Sequence, residues 1–235
     1  MTRRALLALA LSTALAGGRS HPAAAQQVVF AAGLPTEIDS ATQAALTREL
    51  EQARLRGLPV EPLVAKVREG RIKRAAPSRI RSAVAALAVR LDSARAALGV
   101  ASSAAELVAG ADALGAGANA EALRAVRAAS GARDVAAPLG ALAQLVATGM
   151  PARRATQLVV ELLRHATAPD QLLAFGVAVE ADVGAGVPAE ESARFRLRAI
   201  EEARLLGGDK ATLGATVDFS NTLPTVQNAR PRRKP

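Results

Sequence analysis

The side chains best suited to chemistry in this chain are Glu161 and His165. They stand four residues apart, a spacing that puts both on one face of a helix. A carboxylate beside an imidazole is half of a metal site or half of an acid–base pair. Leu158 and Leu162 mark the inward stripe of the same segment, so the pair reads as an exposed polar couple on the outer side. The chain has two histidines and no cysteine. A tetrahedral structural zinc site draws on several Cys or His ligands. No metal ion and no cofactor is therefore expected.

Other chemical patterns are weaker. Gly115-Ala-Gly117-Ala-Asn119-Ala120 matches a dinucleotide fingerprint, which has meaning only after a strand and before a helix. Here Ser103 to Leu114 reads as helix, and the glycines read as an interhelical loop. A phosphate loop, a nucleophile elbow and a His-Glu-x-x-His zinc motif are all missing from the sequence. Glu180, Asp182, Glu190, Glu191, Glu201 and Glu202 are close in sequence, and paired acids can cleave glycosidic bonds. Sugar clefts usually add aromatic platforms, whereas this chain has no Trp and no Tyr. The acids read as solvated surface, and the chain is expected not to be an enzyme.

Charge offers a binding face instead. The net charge is +9, and it is concentrated. Lys66, Arg68, Arg71, Lys73, Arg74, Arg79 and Arg81 stand against Glu69 alone. Arg230, Arg232, Arg233 and Lys234 form a second group near the end. Such runs suit an anionic surface, either lipid or acidic polysaccharide. Nucleic acid is not expected, because single-strand sites usually add aromatic stacking.

The elements that must carry these residues are helices. Ala, Leu and Arg abound and favour helix. The only aromatics are Phe30, Phe175, Phe195 and Phe219, and runs of strand-forming residues are few. A core of Ala, Leu and Val calls for closely approaching helices. A recurring junction separates them: Gly33-Leu34-Pro35, Gly57-Leu58-Pro59, Gly149-Met150-Pro151 and Gly186-Val187-Pro188. Gly takes the left-handed conformation past a helix end, and Pro is then expected to open the next helix. Ala76-Pro77 and Ala168-Pro169 read as weaker versions.

Periodicity and caps predict helices at about 37–56, 59–72, 78–98, 104–114, 120–130, 135–148, 151–167, 169–184 and 188–206. Ser103 and Glu106 form a predicted capping box, and Asn119 a predicted cap. Val60, Leu63, Val64 and Val67 form an inward stripe, as do Ile80, Val84, Leu87 and Leu91. Leu172, Leu173, Val179, Phe195 and Leu197 are expected inward too. Residues 57–98 lie on 149–190 without gaps, which suggests a weak duplication.

The two ends read differently. Arg3 and Arg4 precede an apolar run, Ala5 to Ala16, and then Ala23-Ala24-Ala25. That order is an export signal over 1–25, with the mature chain periplasmic or secreted. The run is shorter than the ~20 residues a membrane-spanning helix needs, and no equal run follows it. Residues 26–207 form the expected helical domain, and 208–235 a disordered basic tail. The expected fold is all-α, either an irregular bundle or a short stack of antiparallel helical hairpins. The expected role is an exported, non-enzymatic interaction or scaffold protein with a protein partner. The alternative is an electrostatic binder of an anionic envelope component through Lys66–Arg81 and the tail.

Overall fold

A computed structural model of the chain describes residues 39–205. The expected export signal, the Gly33-Leu34-Pro35 junction and the basic tail with Arg230, Arg232, Arg233 and Lys234 lie outside the described residues.

The described residues hold α1 (Ser40–Leu55), α2 (Glu61–Ile72), α3 (Pro77–Leu98), α4 (Ala104–Ala116), α5 (Ala120–Ser130), α6 (Ala136–Ala147), α7 (Ala152–Arg164), α8 (Pro169–Gly184) and α9 (Ala189–Leu205). Among them there is no strand. Helices pack on neighbours two along the chain. One row runs α1, α3, α5, α7, and the other runs α4, α6, α8. α3 joins the rows through α4, and α6 joins them through α7. The architecture is all-α, a short stack of antiparallel hairpins. α2 lies on α3, and α9 on α8.

The junctions explain the tight stacking. Gly57, Gly117, Gly149 and Gly186 all have positive φ. The residue after each sends its N–H five residues back: Leu58 to Ala53, Ala118 to Ala113, Met150 to Leu145 and Val187 to Asp182. This double turn satisfies carbonyls the helix leaves unpaired. Leu58 and Met150 are buried, so each folds back on the helix it closes. The weaker junctions use the same geometry without glycine. Arg74 and Ala166 take φ of 52° and 53°, and Ala75 and Thr167 bond back to Gly70 and Leu162. The interval from Gly57 to Gly149 equals that from Arg74 to Ala166.

Proline departs from its expected place at the glycine junctions. Pro77 and Pro169 are first helical residues, as predicted. Pro151 is instead the cap of α7, and Val60, one residue past Pro59, is the cap of α2. The reason is register: Pro77 follows its left-handed residue by three positions, Pro151 by two. The predicted Ser103–Glu106 capping box and the Asn119 cap are both formed.

The core is built of aliphatic stripes. Leu46, Leu50, Leu63, Val67, Val84, Leu91, Leu123, Leu139, Leu142, Leu145, Val159 and Leu162 are buried. Phe175 is the largest fully buried side chain. Helices approach closely where side chains are small: a Cβ added to Gly110 on α4 would lie 3.0 Å from that of Ala94 on α3. Two predicted core residues are outside it. Leu173 is 42% and Phe195 36% exposed, because each sits at the flank of its helix stripe rather than its centre. No described helix is long and apolar enough to cross a membrane.

Candidate functional site

An open cavity lies between the start of α2 and the outer faces of α4 and α6. It is a groove of about 810 Å³. Ala105, Val108, Ala109, Gly140, Ala143 and Ala147 form most of its wall, and Pro59 and Pro62 form its far edge. Its polar groups are Glu61, Asp112 and Gln144. Burial pushes the Asp112 carboxyl above its ordinary range, and Arg90 and Lys66 partly offset this. The apolar surface continues onto α8, where Leu173 and Val177 are exposed. Leu173 lies over Gly140, within 3.1 Å of where a Cβ would stand. Sequence reasoning missed the groove. The alanines on α4 and α6 carry no signal of facing solvent together until the helices are placed.

The basic segment is spread over the end of α2, the junction and the start of α3. Lys66 and Lys73 both donate to Glu69, at 2.6 Å each. Those bonds and charges pull the Glu69 carboxyl down to about 2. One acid thus neutralises much of the local lysine charge, and the arginines carry what remains. Arg68, Arg74, Arg79 and Arg81 are exposed, while Arg71 is half-buried.

Two carboxylates are enclosed by the fold. Glu106, only 6% exposed, accepts from the Ser103 N–H, from Arg127 Nη2 at 2.7 Å and from the Val135 N–H at 3.1 Å. It therefore ties the starts of α4 and α6 to α5. Burial pushes its carboxyl up, but the Ser103, Arg127 and Val135 donors outweigh this and hold it below the usual range. Asp182 on α8 takes a two-pronged bond from Arg196 on α9, at 2.8 and 2.9 Å, and a short one from the Ser192 hydroxyl. Burial again raises the carboxyl, and Arg196 and Ser192 again bring it below its usual value. The other acids close in sequence do not form one cleft. Glu180 accepts from Gln144, and Glu190 pairs with Arg194.

Glu161 and His165 do share the last turn of α7, as predicted, but they are not alone. Glu201 reaches them from α9. One ligand-type atom from each of the three lies within 4.8 Å of the others, and His165 Nε2 is 3.9 Å from Glu201 Oε1. Beside them, Glu161 also lines a small cavity of about 150 Å³ between α7 and α9.

The glycine-rich Gly115–Ala120 stretch is a helix junction. Gly117 closes α4 in the left-handed conformation, and Asn119 caps α5 through the Ala122 N–H at 2.8 Å. The strand that a dinucleotide fingerprint needs before its glycines is here the helix α4. No protein-family model matches the chain, and no curated protein or solved structure matches it.

Proposed function

We propose that this chain is a non-enzymatic interaction scaffold that receives an apolar segment of a partner protein in the groove along α4 and α6. The observation that carries the reading is the groove wall of Ala, Val, Gly and Pro, continued by exposed Leu173 and Val177. Apolar surface gathered in a groove, rather than scattered singly, is the kind of surface on which proteins associate. Small wall residues let a partner backbone come close, and Asp112 and Glu61 favour a segment carrying a basic residue. The export-signal reading of residues 1–25 directs the search to envelope proteins. The pairing of Lys66 and Lys73 with Glu69 takes two of the seven cations of Lys66–Arg81 away from the alternative of electrostatic attachment through that segment and the tail.

The test is capture from an envelope extract at low and high salt, with the mature chain, its Ala143→Arg variant and a form lacking residues 216–235. The expected result is a partner kept at high salt by the parent and the truncated chain and lost by Ala143→Arg. Exposed charge contacts are screened by salt. Binding that vanishes with salt or with the tail, and is indifferent to Ala143→Arg, would replace the scaffold reading by electrostatic attachment.

A further inference from the structure

We propose that Glu161, His165 and Glu201 form a binding site for one divalent transition-metal ion of the Zn²⁺ class, which joins the end of α7 to α9. Among the described residues they are the one such group of three whose ligand atoms converge. By spacing alone Glu161 and His165 read as an exposed polar couple on the outer side of the helix that carries Leu158 and Leu162. The fold supplies the third from a helix 36 residues further along the chain.

The donor chemistry fits. One imidazole nitrogen and two carboxylates are a nitrogen–oxygen set suited to Zn²⁺, and the two carboxylate charges balance the ion. Zn–N and Zn–O bonds of about 2.0–2.2 Å need ligand atoms roughly 3.3–3.5 Å apart around a tetrahedron. The ligand atoms now lie within 4.8 Å of one another, and rotation about the Glu and His side-chain bonds is the movement the proposal requires to bring them onto an ion. Glu161 and His165 lie on the final turn and cap of α7, where the helix dipole favours a cation. The backbone of Glu201 follows Ile200, which is 5% exposed and anchors this stretch of α9 in the core. α9 otherwise packs chiefly on α8, so the ion adds a tie to α7. Three protein ligands leave a fourth position for water.

The probe is Zn²⁺ itself, titrated by calorimetry into the full, untagged chain after chelator treatment, with thermal unfolding followed in parallel. The parent is expected to bind one ion per chain and to unfold at a higher temperature with Zn²⁺, since a ligand of the folded state stabilises it. His165→Ala and Glu201→Gln should each weaken binding at least ~10-fold and abolish the thermal shift. His21→Ala, which removes the chain's other histidine, should change neither. Without metal, His165→Ala should unfold like the parent, as partly exposed substitutions usually do. Should one variant lose its helical circular dichroism, the other carries the comparison. No Zn²⁺ binding by the parent overturns the proposal. So does binding that survives both His165→Ala and Glu201→Gln, or that is lost in His21→Ala.

Discussion

Glu106 and Glu201 both reach across to another helix, and their surroundings differ in kind. Glu106 accepts from two backbone N–H groups and the Arg127 guanidinium. Glu201 faces the His165 imidazole and lies near Glu161, so one ring and a second carboxylate stand where Glu106 has three donors. The Asp182–Arg196–Ser192 cluster belongs with Glu106. A carboxylate whose lone pairs are filled by the chain's own donors is a structural tie. Two carboxylates and an imidazole that converge on one point are instead the donor set of the proposed Zn²⁺ site.

That contrast is sharpest in stability. Glu106→Ala should cost about 3 kcal/mol, measured by urea unfolding, because it leaves the buried Val135 N–H without its acceptor and the half-buried Arg127 without its counter-charge. Glu106→Ala as tolerant of urea as metal-free His165→Ala would erase the distinction between the two groups.

Acid provides the next largest effect. The Glu106 and Asp182 carboxyls are held below their ordinary values of 4.5 and 3.8. The folded state therefore binds protons less readily than the unfolded one. Their contribution is fully present above those ordinary values and is lost as pH falls through the lower, folded ones. Urea midpoints followed from about pH 7 to about pH 3 should fall. The fall should be shallower in a Glu106→Gln, Asp182→Asn double variant. Equal slopes would mean that other groups set the acid limit.

The smallest effect concerns the junctions, away from both kinds of cluster. Arg74 and Ala166 occupy left-handed positions that glycine fills at Gly57, Gly149 and Gly186. Arg74→Gly and Ala166→Gly should each raise stability by ~0.5–1 kcal/mol in thermal unfolding. A loss in either would show that the side chain's contacts outweigh the strain.

Much of the fold was legible because helix grammar is local. The Ser103–Glu106 box, the Asn119 cap and the glycine junctions depend on residues no more than five apart. So does the pairing of Lys66 and Lys73 with Glu69, at spacings of three and four. In the sequence that pairing is masked by the excess of basic residues around Glu69. Leu173 and Phe195 were misjudged because a stripe in an Ala-rich helix has weak edges, and the packing partner decides where burial stops.

The sequence by itself determined the all-α class of the described residues, the place of their junctions and most of their buried stripes, since these follow from backbone capping and a period of 3.6 residues. Only the tertiary structure decided which helices became neighbours. That choice brought Arg127 to Glu106, Arg196 to Asp182 and Glu201 to His165, and it left α4 and α6 with an alanine-lined groove between them and α2. Such pairings join side chains 14 to 36 residues apart. No local rule of spacing reaches that far, because the order of stacking sets the distance.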